Sequence, residues 1–248
     1  MDFTNYTGNE EFNKNGFIVV RNLVDKEAFK EDVPSKGNYN WDIHTSTQTD
    51  IEEEGFVNRL NQSKYSGLVL ATKDIIEKAL ERKVKSTYWL DRWYESGENL
   101  ERHKDWACCE ISVTLHLDSN ISGHWPIGMR SLSGEEFLVN LDPGDAIIYN
   151  GTYREHWRPY LPYEYNNDGT QKEVFYHQIF MHYVLRDGRF SELGYEDLPP
   201  IGIYHNDGMS AEEADPNIYE EEAMLLRRHM DEINYTGRRA EGYPLNPL

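Results

Sequence analysis

The chain has 248 residues, enough for one large domain or two small ones, and a single large β-domain is compatible with that length. Its 44 acidic against 25 basic side chains leave a net charge of -19, which repels phosphate backbones and anionic lipid and argues against nucleic-acid binding by a basic face. There is no run of about eighteen apolar residues to span a membrane, and the opening residues MDFTNYTGNEEFNKNG lack the basic-then-apolar form of a signal peptide.

Residues 15–29, NGFIVVRNLVDKEAF, read as a short strand, a turn and the start of a helix. Residues 72–83, TKDIIEKALERK, predict an amphipathic helix capped by Thr72, with Ile75, Ile76, Ala79 and Leu80 on its apolar side. From Val84 to Leu185 the texture turns to β. STYWLDRWYE, CEISVTLHL, EEFLVNL, DAIIYN and EVFYHQIFMHYVL are rich in Val, Ile, Thr and aromatics, and Gly, Asn, Asp or Pro separate most of them. Asp142, Pro143, Gly144 and Asp145 form a strong turn signal. Several short strands so punctuated predict a β-sandwich or barrel. Beyond Arg186 the chain is polar, and residues 215–233 predict a helix with Asp215 as cap and Pro216 at its first position. The simplest organisation is one domain over 1–248: a β-core at about 84–186, strand and helix support at 15–83, and a helical extension at 187–248. The only two cysteines, Cys108 and Cys109, are neighbours, where an ordinary disulfide is geometrically difficult and a zinc site lacks a further Cys. A reduced, cytoplasmic setting is the default expectation.

Four His-x-Asp triplets compete as metal sites: His103/Asp105, His116/Asp118, His205/Asp207 and His229/Asp231. On a strand, positions i and i+2 share a face, which suits chelation; on a helix they lie roughly 200° apart. His229 falls in the expected C-terminal helix, where it serves as a cation near the helix end. His205 lies in the turn-like IYHNDGMS. Two candidates survive. His116 alternates with Ile111, Val113, Leu115 and Leu117 and belongs to the polar face of its strand, with Ser112 and Thr114. His103/Asp105 follows a strand and a Gly-containing turn, a place suited to the rim of a small barrel. A catalytic metal needs a third ligand from a distant strand and open positions for substrate. His156, after the turn and apolar strand of LDPGDAIIY, supplies one.

Together these residues resemble a known family. His103-x-Asp105 followed about fifty residues later by His156 is similar to the two-histidine, one-carboxylate signature of the Fe(II)/2-oxoglutarate-dependent dioxygenases. Tyr94 and Gly97 ahead of ERHKD, and LDPGDAIIY ahead of His156, resemble the corresponding segments of prolyl 4-hydroxylase-like members. The longer pattern resembles small phage and bacterial oxygenases, over roughly residues 15–185. The resemblance implies a mainly β fold with flanking helices, the double-stranded β-helix or jelly roll. It implies iron held by His103, Asp105 and His156, with 2-oxoglutarate and O2 as cosubstrates and ascorbate as supporting reductant. The activity it implies is hydroxylation of a C–H bond in a peptidyl or free amino acid, in the cytoplasm (a host's cytoplasm for a phage-encoded chain). Asp105 fits hydroxylation rather than halogenation, since halogenating members carry a small residue there.

The family's basic residue for the far carboxylate of 2-oxoglutarate has no counterpart at its usual place: Tyr165, Asn166 and Asn167 stand there, and FYHQIFMHYVL has no Arg or Lys. Arg158, two residues beyond His156 on the same strand face, is the first substitute, and Lys172 the second. Tyr94 and His116 match positions that hydrogen-bond the cosubstrate in related enzymes. Trp106, Tyr149, Tyr153, Trp157 and Tyr160 suggest an aromatic entrance, and PYLPYEYNNDGTQKE a lid or a surface loop. The alternatives are a cupin-like jelly roll without redox turnover, for which this spacing lacks the extra histidine and glutamate, and a structural β-domain of virion type. The substrate class is a small molecule or peptide, and the acidic surface leans weakly towards a cationic one.

Overall fold

A computed structural model describes residues 8–27, 57–60, 65–131 and 133–199. The segment expected to be a helix at 215–233, the start of a helix near Phe29, and the His205/Asp207 and His229/Asp231 triplets lie outside the described residues.

Eight strands build the core: β3 (Val84–Glu95), β4 (Leu100–His103), β5 (Ile111–Ser119), β6 (Ile127–Arg130), β7 (Glu136–Val139), β8 (Ala146–Tyr149), β9 (His156–Arg158) and β12 (Phe175–Leu185). β1 (Phe17–Val20) and β2 (Val57–Leu60) extend one edge each of the larger sheet, whose order is β1-β8-β5-β12-β3-β2. The smaller sheet runs β4-β9-β6-β7, and every pairing is antiparallel. The chain alternates between the sheets (β3 large, β4 small, β5 large, β6 and β7 small, β8 large, β9 small, β12 large). This is the jelly roll, or double-stranded β-helix, that the family resemblance implies and that the strand pattern narrows to a sandwich or barrel.

The alternation of β5 places its side chains as its residues require. Ile111, Val113, Leu115 and Leu117 join Ile179, Met181 and Tyr183 of β12 in a buried cluster beneath the helix α2 (Ser66–Leu80). Ser112, Thr114 and His116 face the other way, into the space between the sheets, and are buried there. Each large aliphatic side chain removed from water contributes about 1.5–3 kcal/mol. The layer under α2 therefore packs the large sheet against the helix and leaves its inner face for polar side chains.

α2 differs from its expected bounds. It begins at Ser66 rather than Thr72 and ends at Leu80, where Glu81 turns left-handed at φ 53°. Thr72 is buried in mid-helix and caps nothing, because Leu68 and Val69 carry the apolar stripe of Thr72, Ile76 and Leu80 back by a full turn. A short helix α1 (Gly8–Asn15), which the sequence does not announce, precedes β1. The loop at 159–173 folds into the hairpin of β10 (Glu164–Tyr165) and β11 (Gln171–Lys172). No helix of the described residues is long and apolar enough to cross a membrane.

Candidate metal centre

β4 and β9 pair so that His103 and His156 are register partners. Directly opposed residues on an antiparallel pair project to the same side, so their rings meet, with centroids 4.3 Å apart. Asp105 is not on the strand: β4 stops at His103, and Asp105 sits two residues into the loop. Its N–H donates to the carbonyl of Gly151 at 2.9 Å, which fixes the loop against the β8–β9 connection. The close fit requires glycine, since a Cβ at Gly151 would overlap Asp105 Oδ2, the Cys109 carbonyl and Ser112 Oγ. The expected strand-face spacing thus holds for His103 alone; the carboxylate is aimed by a loop.

The result is a convergent donor set. Nε2 of His103 lies 3.4 Å, and Nε2 of His156 3.3 Å, from Oδ1 of Asp105. Each imidazole is oriented from behind. Nδ1 of His103 donates to the Glu101 carbonyl at 2.7 Å and Nδ1 of His156 to that of Arg154 at 3.0 Å. A carbonyl only accepts, so both rings carry their proton on Nδ1 and present the Nε2 lone pair to the shared point. Adjacent ligand atoms on an octahedral ion with bonds of about 2.1 Å lie about 3 Å apart, so the set needs little movement to close on a metal. His156 is buried, with Tyr149 packed against its ring at 4.7 Å, and His103 is 37% exposed. One side of the centre is therefore walled and the other open. Burial works to raise the carboxyl of Asp105; with the two imidazoles protonated, the charge of His156 and the hydrogen bonds from both rings outweigh it and hold the carboxyl well below its ordinary range. For His103 burial acts downward and Asp105 outweighs it, so the imidazole is raised.

Behind the carboxylate stands a layer that sequence reasoning missed. Ser112 Oγ lies 2.7 Å from Asp105 Oδ2 and 3.0 Å from His182 Nδ1. Burial lowers His182 to about 4, so it is neutral near pH 7. His182 (β12) and Cys109 also lie close enough to Asp105 to form a second possible ligand group. Burial pushes the Cys109 thiol well up, which disfavours the thiolate such a site would need. Cys108 and Cys109 are free thiols with sulfurs 3.7 Å apart. The only signal of this layer in sequence is alternation: Ser112 and His182 occupy inward positions of their strands.

Arg158 shares the inward face of β9 with His156 and is 1% exposed. Its guanidinium lies 4.6 Å from the Trp125 ring centroid and 4.7 Å from that of Tyr176. Nη1 donates to the Trp125 carbonyl at 2.5 Å and Nη2 to the Tyr176 hydroxyl at 3.4 Å, while Nε, also buried, has no partner. A buried cation with a spare donor and, among the described residues, no carboxylate bonded to it fits the carboxylate of a ligand. His116 stacks on Tyr176, centroids 4.0 Å apart, and its Nδ1 donates to the Leu141 carbonyl at 2.8 Å. Its Nε2 is buried without a partner. Tyr94 is buried between Trp125 and the side chains of Gln178 and Arg92, each of which lies 3.4 Å from its hydroxyl. The structure thus groups Arg158, His116 and the ring of Tyr94 around Trp125 and Tyr176. Lys172, the second candidate, stands on the hairpin, where its Nζ binds Glu164 at 2.8 Å and the Asn120 carbonyl at 2.7 Å.

The aromatic residues do not form one entrance. Trp106 and Tyr160 are exposed, but Tyr149 lies under His156, Tyr153 packs with Ala107, Val184 and Phe190, and Trp157 is covered by Arg102 at 3.7 Å. A depression of about 410 Å³ between α2 and the start of β3 is lined by none of His103, Asp105, His156, Arg158 and His116.

No protein-family model matches the chain, and no curated protein matches it. Among solved structures it is similar to a prolyl-4-hydroxylase from Pseudomonas putida, with 13% identity, 70% of this chain and 96% of that chain covered, and a TM-score of 0.48. It is similar to an oxidoreductase of the 2OG-Fe(II) oxygenase family from Burkholderia pseudomallei, with 9% identity, 81% and 95% covered and a TM-score of 0.49. HygX from Streptomyces hygroscopicus, solved with nickel and 2-oxoglutarate, gives 10% identity, 69% and 84% covered and a TM-score of 0.43. All three likenesses are distant.

Proposed function

We propose that the protein is an Fe(II)- and 2-oxoglutarate-dependent oxygenase. The observation that carries this reading is the convergence of two lone-pair-bearing Nε2 atoms on Asp105 Oδ1, at 3.3 and 3.4 Å. Two neutral imidazoles and one carboxylate on one face of a metal are the donor set of non-haem Fe(II) oxygenases, which leaves the remaining positions for substrates. His103, Asp105 and His156 would hold the iron. Arg158 would hold the far carboxylate of 2-oxoglutarate, with His116 and Tyr94 beside it. When bound, iron, 2-oxoglutarate and O2 together supply an oxidant for an unactivated C–H bond, with succinate and CO2 released.

The chain's own part is placement. The carbonyls of Glu101 and Arg154 fix the tautomers, Ser112 and Gly151 aim the carboxylate, and Arg158 sets how deep a dicarboxylate can enter. Tyr149 walls the inner side of His156, so approach is from the exposed side of His103. The substrate class proposed is a peptidyl or free amino acid, hydroxylated at carbon as in prolyl hydroxylation.

The test is succinate formation from 2-oxoglutarate with Fe(II) and ascorbate, alone and across a panel of amino acids and peptides. Wild type is expected to turn over and His103→Ala to fall to background. If wild type binds neither Fe(II) nor 2-oxoglutarate in a thermal-shift titration, the oxygenase reading is wrong.

A further inference from the structure

His116 is held by geometry that leaves its imidazole one way to meet a carboxylate. Its Nδ1 faces the Leu141 carbonyl at 2.8 Å, an atom that can only accept, so Nδ1 carries a proton. Neutral, the ring then has a bare lone pair at Nε2, which is buried and unpartnered. A carboxylate is also acceptor-only. An imidazole set between two acceptors must be doubly protonated: the neutral ring with its proton on Nε2 would turn a lone pair on Leu141 instead.

The surroundings favour the neutral ring until an anion arrives. Burial, followed by the charge of Arg158 on β9, lowers His116 to about 4. Tyr176 of β12 stacks on the ring and stays protonated, because burial raises its hydroxyl. The backbone carbonyl of Leu141, then the backbone of Asp118 on the same strand and the charge of Asp142 in the β7–β8 turn, act in the opposite direction but do not prevail. Asp145, whose carbonyl accepts the His116 N–H, has its carboxylate bound to Arg21 at 2.6 Å. Arg158 and His116 both rest on Tyr176 and both carry an unpartnered buried nitrogen. A carboxylate entering between them offsets the positive field and offers Nε2 an acceptor.

We propose that His116 takes up one proton when a dicarboxylate binds at Arg158, so that 2-oxoglutarate is captured together with H⁺ and clamped between a guanidinium and an imidazolium. This rests on the oxygenase reading, and it makes cosubstrate affinity depend on pH through a residue that touches neither the metal nor its ligands. Between the pKa of His116 in the free protein and its higher value in the complex, affinity is expected to fall tenfold per unit rise in pH.

The experiment is titration calorimetry of 2-oxoglutarate into full-length protein loaded with Mn(II), at one pH in two buffers of different ionisation enthalpy, repeated from pH 6 to 8. Uptake approaching one proton at the acidic end, declining as pH rises, is the expected result. His116→Gln is expected to bind more weakly, with no uptake and an affinity flat across the same range. Tight binding without proton exchange in wild type overturns the clamp and leaves the oxygenase reading standing. Absence of 2-oxoglutarate binding at every pH overturns the oxygenase reading itself.

Discussion

Two histidine–aspartate sites lie on either side of the large sheet, one under α2 and the other carried by the small sheet and a loop, and they differ in how their lone pairs are directed. On the outer face, under α2, Asp91 Oδ2 accepts the Tyr65 hydroxyl at 2.9 Å and meets His177 Nε2 at 3.1 Å, with His177 stacked on Trp93 at 3.6 Å. On the inner side, Asp105 meets two Nε2 atoms whose rings are pinned through Nδ1. In the first site the imidazole points its Nε2 at a carboxylate that a neighbouring hydroxyl also satisfies, and an aromatic plane covers the ring. In the second, two lone pairs and one anion point at each other with one side open. Residue type is shared; direction of the lone pairs is not.

The largest expected effect tests that division directly. Asp105→Ala should weaken Mn(II) or Fe(II) binding by more than about 100-fold, beyond the 10- to 100-fold cost of losing an outer partner. Asp91→Ala should leave metal affinity within a factor of about three and cost about 3–5 kcal/mol of stability, since it strips one partner from a buried pair. Metal titration and urea unfolding of both variants measure the crossing. A loss of metal affinity in Asp91→Ala would mean that the two faces are not separate.

A third buried carboxylate sharpens the contrast because it has no imidazole. Glu110, at the head of β5, accepts the Leu185 N–H at 2.8 Å, yet burial raises it from 4.5 to about 7. Its folded value lies above its unfolded value, so the favourable protonated state is complete below about pH 4.5 and is lost as pH climbs through 7. From the size of that shift the charged form costs about 3 kcal/mol above pH 7. Glu110→Gln is therefore expected to match wild type near pH 4.5 and exceed it by up to that amount at pH 7.5. Unfolding free energies at the two pH values decide the matter, and an equal gain at both would assign the effect to packing instead.

How much of this the sequence showed follows from the range of each signal. Period-two alternation is local, so the inward set of Ser112, Thr114 and His116 and the long strand ending in FMHYVL were legible, as was the Asp142–Asp145 turn, where Gly144 takes φ 94°. His103, Asp105 and His156 were legible as a spacing, because a loop and a strand pair set that spacing. What escaped is what pairing creates. Ser112 meets Asp105 and His182 only because β5 lies beside β12, with Ser112 opposite His182 in register. Arg158 was favoured by its i+2 spacing from His156, but its bed of Trp125 and Tyr176 comes from two distant segments. α2 was expected to start six residues late because Thr72 reads as a cap, while the buried Leu68 and Val69 carry the helix a further turn back.

The smallest effect concerns the layer behind the proposed metal centre. Neutral His182 donates from Nδ1 to Ser112 Oγ, and Ser112 donates to Asp105 Oδ2, so a two-bond relay turns Oδ1 towards the histidines. Ser112→Ala removes both bonds of the relay, and the longer contact of Ser112 Oγ with the Cys109 carbonyl at 3.1 Å, while leaving all three ligands in place. The loop bond from Asp105 N–H to Gly151 survives and keeps the backbone where it was. The carboxylate then gains one rotational freedom and loses one charge-assisted bond, for an expected loss of about tenfold in Mn(II) affinity, or about 1.4 kcal/mol. Ser112→Thr retains the hydroxyl and should recover most of that loss if its extra methyl is accommodated beside Thr114. A Ser112→Ala loss of less than twofold would mean that the Gly151 contact alone orients Asp105, and that His182 serves packing against Tyr88 rather than the metal.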